Sequence, residues 1–514
     1  MISPHVDVKT FDSEVIPNLV SKYNSIKVLY TLKGEANKLT LVNSILDFKI
    51  KFGKPNKTNI CDWYQVYNYF LYNNKSLYIC RSLGENSFNA QASAPNKFKE
   101  NIRIDNYEDF LAKNISLENN VIKVFAKTPG EWGNSIEVAI FTLQDLRQNV
   151  KIHKNYFAKN IVNIFKEGQY CIAVFYEKRL VEYFLIDYND IEKVNGSSEY
   201  IYLKNNFLDY KIFDGNLYWI DGDELIADGN LQANLKPVFY GSNILKLENG
   251  ISEEPSKKDF FESNEIIKEE NIDLTFVMCD KNYPDISINL AEHFNAIALV
   301  QLKKSDVFDL IQESKLLDKS YARNIICYAN TKKQTDIYTN KDYYFSIIGD
   351  LNGLREYLIE NYSLNESHCK RIYSISEILN VSKKYTNDEI DELYLNNINV
   401  IKKDNNNFIF NSENMLNGEK LSQRLPIIKL EKRLQELSLY YVFEFNNEFT
   451  RYNLYKLAQQ IGDEAVTKRY ITDYRIVCDL TNNKENSEYL NLDFYFKPNH
   501  LIEEIKINLR IQNS

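Results

Sequence analysis

The hydrophobic pattern changes character twice along the chain, and this change constrains the fold more than any other feature of the sequence. Up to about residue 95, strand-like apolar runs at 25–31 and 77–81 flank an amphipathic helix pattern at 63–72. From about 121 to 220 short strand-like runs are separated by polar turns, and strand–helix alternation returns after about 271. Short strands with little helix predict a sandwich or barrel, whereas strand–helix alternation predicts layered α/β structure. We therefore predict an α+β multidomain fold with an inserted mainly-β domain.

The same changes suggest where the domains begin and end. A length of 514 residues suggests about three or four domains, at roughly 150 residues each. We expect residues up to about 95 to pack with the C-terminal region in an α/β layered core domain, and the insertion to point outward. The predicted segments are an N-terminal arm at 1–25, an α/β part at 26–114, the β-rich insertion at 115–230, a polar linker at 231–270, an α/β middle domain at 271–400, a C-terminal domain at 401–500 and a terminal strand at 501–514.

Individual elements follow from the periodicity. In the β-rich stretch we predict strands at 121–126, 136–141, 172–176, 180–186, 200–203 and 217–220. In the middle domain we predict strands at 272–279, 296–302, 323–329 and 343–349, and helices at 288–294, 306–313 and 351–362. Steps of three and four residues predict one helical face for Ile427, Leu430, Leu434, Leu437 and Tyr441.

Both ends of the chain show the period-two alternation of a strand with one apolar face. A lone strand cannot satisfy its own backbone groups and must join a sheet. At a terminus it can complete the sheet of its own subunit or extend the sheet of a neighbour, and these two readings stay open on pattern alone. The residues of the two apolar faces are Ile2, Val6 and Val8 at the N-terminus and Ile505, Ile507, Leu509 and Ile511 at the C-terminus.

Charge and composition exclude several classes of function. Lys and Arg number 62 against 71 Asp and Glu, a net charge of −9, so a partner held through its phosphate backbone, such as a nucleic acid, is not expected. No apolar run approaches the ~20 residues that span a bilayer, and no signal peptide begins the chain, so we expect no membrane insertion and folding in a cytosol. Seven scattered cysteines without a CxxC pair argue against disulfides and against a zinc site.

The sequence contains no recognisable catalytic motif. Neither Gly-rich phosphate loop is present, nor GxSxG or HExxH, and Gly349 and Gly353 are interpreted as a strand-to-helix turn. The acidic run at 387–392 fits the first turn of a helix better than a calcium loop. His293 and His368, the latter beside Cys369, are interpreted as surface or capping residues. We therefore predict no enzyme activity, no catalytic residue, no cofactor and no metal, with a nucleotide-binding α/β enzyme at 271–380 as a remote alternative.

Several stretches resemble one known family, that of contractile tail sheath proteins of the myovirus bacteriophage type. Residues 126–140 contain Pro129, Gly130, Trp132, Gly133 and Asn134 in the order of the family's A-x-x-P-G-x-W-G-N motif, with turn residues on either side of a tryptophan. The C-terminal match is longer: 442–451 (VFEFNNEFTR), 470–483 (YITDYRIVCDLTNN), 492–498 and 502–511 resemble consecutive family motifs. Residues 52–55 and 393–401 also resemble family motifs.

The resemblance implies a structural virion protein. Such a subunit forms hexameric rings stacked in a helical assembly around an inner tube, and the viral tail sheath contracts to drive that tube through a cell envelope for genome ejection. The implied partners are neighbouring sheath subunits joined by β-strand exchange, the tail tube protein, and baseplate and tail terminator proteins. The implied location is the virion tail, assembled in the host cytoplasm. The alternative within this class is the sheath of a headless contractile injection particle, bacteriocin-like or secretion-type.

The resemblance also implies a tube-facing helix at 450–468. Exposed ion pairs are individually weak, so charges on this helix could contact complementary tube charges reversibly. A solvated helix face explains the same charges equally well. The candidate tube contacts are Arg451, Lys456, Asp463, Glu464 and Lys468.

Overall fold

A computed structural model shows a mixed α/β protein, which confirms the predicted class. It describes residues 24–72, 76–94, 97–98, 100–117, 122–142, 170–186, 191–205, 210–213, 216–220, 235–237, 244–317, 319–485 and 487–501. The two predicted terminal strands, with Ile2, Val6, Val8, Ile505, Ile507, Leu509 and Ile511, lie outside the described residues. Within the described part of the chain, no helix has the length and apolar character needed to cross a membrane.

The described elements are numbered in chain order. The strands are β1 (Ser25–Leu29), β2 (Leu39–Val42), β3 (Leu77–Arg81), β4 (Gln91–Ala94), β5 (Ile122–Ala126), β6 (Ile136–Thr142), β7 (Tyr170–Tyr176), β8 (Arg179–Ile186), β9 (Ile201–Asn205), β10 (Tyr210–Phe213), β11 (Asn216–Ile220), β12 (Leu235–Pro237), β13 (Ile244–Lys246), β14 (Phe276–Met278), β15 (Ile297–Gln301), β16 (Ile325–Tyr328), β17 (Lys332–Thr335), β18 (Asp342–Phe345), β19 (Asn380–Val381), β20 (Ile401–Asp404), β21 (Asn407–Phe410), β22 (Ile471–Val477) and β23 (Asp493–Pro498). The α-helices are α1 (Ile45–Phe52), α2 (Ile60–Phe70), α3 (Tyr107–Ala112), α4 (Ile191–Ser197), α5 (Lys257–Lys268), α6 (Pro284–His293), α7 (Val307–Lys315), α8 (Ile348–Asn361), α9 (Asn387–Leu395), α10 (Leu421–Leu439) and α11 (Glu448–Thr467).

A six-stranded sheet with the order β16-β15-β14-β1-β3-β2 forms the centre of the fold. Every pairing is parallel except that of β2 with β3, which is antiparallel. Ile26 lies opposite Val277 across the junction of β1 and β14. The sheet therefore combines strands from the predicted 26–114 segment with strands from the predicted 271–400 segment, while the domain boundaries themselves stay predictions.

Helices cover both faces of this sheet. Neighbouring residues of a strand point to opposite sides, so the apolar residues on the two sides are buried only if both faces are covered. On one face Leu29 and Leu299 pack in a common core with Trp63 of α2 and Leu351 of α8. Leu425 of α10 joins the same core, so the C-terminal region packs directly on the sheet.

The opposite face carries a second core. Val300 packs there with Phe260 of α5, Leu290 of α6, Leu310 of α7 and Leu393 of α9. The acidic residues predicted to begin a helix at 387–392 do so: the side chains of Thr386 and Glu389 form a reciprocal capping box at the start of α9. That prediction is confirmed.

Two local predictions are wrong. The predicted linker 231–270 contains β13, which pairs with β6, and α5, whose buried side includes Phe260 and Ile267 together with the polar Ser263 and Asn264. Gly349 and Gly353 are not a turn but lie inside α8. A Cβ atom at Gly349 would stand 2.1 Å from the carbonyl oxygen of Gln65 in α2, so the glycine permits close approach of the two helices.

Three described sheets lie in and beside the β-rich stretch. The antiparallel sheet β10-β11-β12 is one of them, and the other two pack against each other. One has the order β13-β6-β7-β8 and the other β4-β5-β9, all with antiparallel pairing. Val124 of β5 and Val138 and Ile172 of the facing sheet share one core, with Val194 of α4. The six predicted strands between 121 and 220 are all present, which confirms the reading of the alternation.

The C-terminal region consists of the two longest described helices and a ribbon. The predicted helix face at 427–441 lies on α10 and the turn after it, and α11 packs beside α10. β22 and β23 pair antiparallel as a two-stranded sheet with a register shift between Ile471 and Asp473. Among the described residues neither outer edge of this ribbon has a partner strand.

Candidate functional site

The tryptophan motif forms a joint between the β-rich insertion and the central sheet. Arg81, at the end of β3, is fully buried, and its guanidinium donates to the carbonyl oxygen of Pro129 at 3.0 Å. The same guanidinium donates to the carbonyl oxygens of Thr31 at 2.8 Å and Gly34 at 2.6 Å. Burial lowers the pKa of Arg81 to about 9. One side chain thus holds the motif turn against the loop that follows β1.

Gly130 lets the turn approach that loop closely. Its φ is +135°, which side chains rarely adopt, and an added Cβ would lie 2.5 Å from the carbonyl oxygen of Leu32. Gly133 is buried beside Ala126 and Ala90. Gly130 therefore permits close contact with the main chain of Leu32, and Gly133 permits close packing against two alanine side chains.

Trp132 and Asn134 complete the joint. The Trp132 indole donates to the carbonyl oxygen of Thr128 at 3.2 Å, and the Lys33 ammonium lies 4.9 Å from the ring centroid. Burial lowers the pKa of Lys33, against the opposing effect of nearby carboxylates. Asn134 exchanges two hydrogen bonds with the main chain of Gly250, at 3.0 and 2.8 Å. The arrangement provides attachment, and none of these contacts presents a reactive group to solvent.

The charged residues predicted on the tube-facing helix make contacts within the chain. Arg451 is only 4% exposed and donates to the Oδ1 atom of Asn446 at 2.8 Å, so the structure does not present it to a partner. Glu464 accepts from Arg433 and from Lys468, each at 2.5 Å. These two contacts explain why the pKa of Glu464 is lowered although its burial acts in the opposite direction.

Two further residues of the set lie on the exposed side of α11. Asp463 accepts a hydrogen bond from the Tyr474 hydroxyl of the ribbon, and burial together with this carboxylate raises the pKa of Tyr474. Lys456 donates to Gln459 at 3.3 Å and lies 5.6 Å from the Tyr452 ring centroid. Tube contact through these charges stays a prediction.

A run of exposed apolar side chains lies where α10 ends and α11 begins. Monomeric proteins rarely expose large apolar patches unless the patch is an interaction surface. We call these residues the C-terminal apolar strip: Leu439, Tyr440, Val442, Phe443, Phe445, Phe449 and Tyr452. Four of the seven strip residues lie in the 442–451 motif, and the exposed aromatic side chains of the strip were not singled out from the sequence.

The two histidines considered in the sequence, His293 and His368, differ in exposure. His293 is exposed at the end of α6, as predicted. His368 is fully buried, with its Nε2 atom 2.9 Å from the Tyr328 hydroxyl, so its interpretation as a surface or capping residue is wrong. The partners of His368 lie far along the chain, where local spacing could not reveal them.

Two solved structures resemble this chain over almost its whole length. A sheath tail protein from Listeria innocua matches with a TM-score of 0.56 and 10% sequence identity, over 93% of this chain and 95% of the other. A sheath tail protein from Desulfitobacterium hafniense matches with a TM-score of 0.54 and 12% identity, over 97% of this chain and 100% of the other. No family model and no curated protein matches the sequence. The fold implied by the motifs is thus confirmed, and the chain has the fold of these sheath tail proteins.

Proposed function

We propose that this protein is the structural subunit of a contractile tail sheath, which polymerises as stacked hexameric rings around an inner tube. The observation that carries the proposal is the shared fold with two sheath tail proteins over nearly the full length of each chain. On this proposal the sheath contracts to drive the tube through a cell envelope for genome delivery. The work comes from better packing between subunits and needs no hydrolysis by this chain.

The C-terminal surface supports assembly. The C-terminal apolar strip exposes seven large side chains, and burying each would contribute about 1.5–3 kcal/mol. The β22–β23 ribbon offers two edges to which a further strand could hydrogen-bond, at about 1 kcal/mol for each bond. Repeated through every ring, such links gain strength by multivalency.

We propose that the two chain termini are the linkers between subunits. Residues 2–8 and 505–511 would pair in a sheet exchanged with neighbouring subunits, and these links would keep the subunits attached while the sheath contracts. The exposed charges of α11, including Lys456 and Lys468, would contact the tube protein. Baseplate and terminator proteins would contact the two ends of the sheath, in a virion tail assembled in the host cytoplasm.

A phage tail and a headless particle would use the same subunit architecture. We propose the phage tail. Genes for a capsid and a neck beside the gene for this chain are the expected finding, and a contractile gene cluster that lacks both would assign the protein to a headless particle instead.

Electron microscopy of the purified full chain tests the sheath proposal. We expect helical tubes in negative stain at high protein concentration. The apolar-face variant Ile507→Ser with Leu509→Ser should remain folded and lose the tubes, because the terminal strand then lacks its apolar face. The matched polar-face variant Lys506→Ser with Asn508→Ser should still form them.

Two outcomes contradict different parts of the proposal. Tubes of normal length from the apolar-face variant would refute the linker role of the C-terminal strand while leaving the sheath assignment intact. A wild-type chain that stays monomeric, both alone and when co-expressed with the tail genes beside it, would refute the sheath assignment itself.

A further inference from the structure

Three side chains with metal-ligating atoms meet beneath the central sheet, although the sequence did not indicate such a cluster. His368, Cys369 and Glu413 each direct one ligand atom into a common space, and these atoms lie within 4.8 Å of one another. His368 is fully buried and Glu413 is 3% exposed. The cluster brings the loop after α8 together with the segment just before α10.

The hydrogen bonds around His368 determine which ring nitrogen is free. The Tyr328 hydroxyl has one proton, and it donates this proton to the carbonyl oxygen of Ser412 at 2.9 Å. The hydroxyl therefore accepts from the Nε2–H group of His368, which lies 2.9 Å away. A neutral His368 then carries its lone pair on Nδ1, on the side of Glu413.

That lone pair faces a second electron-rich atom. His368 Nδ1 lies 3.1 Å from Glu413 Oε2, and yet neither atom makes a hydrogen bond of acceptable geometry. Two buried acceptors this close to each other are unfavourable unless a second proton on His368 or a metal cation lies between them. Cys369 adds a sulfur ligand at the same place.

We propose that His368 Nδ1, Cys369 Sγ and a carboxylate oxygen of Glu413 bind a divalent metal ion of the zinc class. Nitrogen, sulfur and carboxylate ligands are the set that zinc takes in proteins, whereas calcium and magnesium prefer oxygen alone. Hydrogen bonds from neighbouring side chains orient the proposed ligands, as is usual in protein metal sites. The Ser422 hydroxyl donates to the other oxygen of Glu413 at 2.5 Å, and the Tyr328 hydroxyl accepts from His368.

The ion would act as a structural link. It would join residues 368–369 to residue 413, which are distant in sequence, beside the core that α8 and α10 share with the central sheet. Binding to the folded chain alone stabilises that chain by mass action. Arg355 lies in the same interior region, where it donates to the carbonyl oxygen of Leu364 at 2.9 Å and its positive charge helps to keep the pKa of Glu413 low, so that the carboxylate is ionised.

Metal analysis of the full chain, purified under reducing conditions without a metal-binding tag, tests the proposal. We expect about one equivalent of zinc per chain, and after exchange with Co²⁺ an absorption band from cysteine thiolate to cobalt. Removing the metal with a chelator should lower the unfolding temperature. Cys369→Ser should abolish the thiolate band, while the exposed-residue controls Cys61→Ser and His293→Gln should keep it.

Metal analysis and the cobalt spectrum of the wild-type protein are sufficient to overturn the proposal. A folded chain with only trace metal and no cobalt spectrum would show that His368 and Glu413 form a buried ion pair without a cation. A thiolate band that survives in a folded Cys369→Ser variant would place the metal elsewhere and overturn the assignment as well.

Discussion

At the scale of single residues, Glu356 couples stability to pH. Its carboxyl group lies inside the fold and accepts hydrogen bonds from the hydroxyls of Ser25 and Tyr69, which link α8 to β1 and α2. Burial raises the pKa of Glu356 to about 8 from 4.5, and the two hydroxyl contacts offset only part of this effect. The folded chain therefore binds a proton more tightly than the unfolded chain does.

Through Glu356, raising the pH destabilises the folded state. Between about pH 4.5 and 8 the folded state holds the proton that the unfolded state loses, so this group lowers stability as pH rises, by about 1.4 kcal/mol per pKa unit of difference. We expect Glu356→Gln to flatten the pH dependence of the urea midpoint over this range. The exposed control Glu392→Gln should leave the slope unchanged. An unchanged slope in Glu356→Gln would contradict the buried, protonated carboxyl.

At the scale of elements, the contact of α2 with α8 depends on the absence of a side chain at Gly349. A methyl group there would stand 2.1 Å from the Gln65 carbonyl oxygen, which is main chain and cannot rotate away. We expect Gly349→Ala to destabilise the protein by about 1–3 kcal/mol through overpacking, measured by urea unfolding. Gly196→Ala in α4 is the matched control, since its added methyl group meets nothing within 4 Å. Equal stability of the two variants would refute the close contact.

At the scale of the whole molecule, substitutions in the C-terminal apolar strip should affect assembly of the subunits without affecting folding of the monomer. We expect Phe443→Ser with Phe445→Ser to leave the thermal unfolding of the monomer unchanged, because both side chains are exposed, and to reduce tube formation at least tenfold. Sedimentation at matched concentration measures the polymer. The control Leu316→Ser removes an apolar side chain that is 86% exposed on another surface and should polymerise normally. A strip variant that polymerises like this control would show that the strip is not a subunit contact.

Features set by neighbouring residues could be predicted from the sequence, whereas contacts between distant segments of the chain could not. The alternation between 121 and 220 identified six of the seven described strands there, because a half-buried strand imposes its period on neighbouring residues, and missed β10. The pairing of Ile26 with Val277 left no local trace, since it joins segments far apart in the chain. The burial of His368 was missed for the same reason: its partner Glu413 belongs to another segment. At 257–268 the four apolar residues Phe260, Phe261, Ile266 and Ile267 stand as two adjacent pairs in a polar stretch, and only Phe260 and Ile267 are buried.

The hydrogen bonds from Arg81 to the motif turn determine which positions near this joint can be substituted during evolution. All three acceptors of its guanidinium are main-chain carbonyl oxygens, at Thr31, Gly34 and Pro129, and every residue type carries such an oxygen. The Arg81 contacts themselves therefore place no demand on the residue types at Thr31 and Pro129, whereas the positive φ and close packing of Gly34 and Gly130 still require glycine at those two positions. Other positions in the two loops can change while the Arg81 hydrogen bonds are kept. The outer surface of the β-rich insertion can therefore change without loss of its attachment to the central sheet.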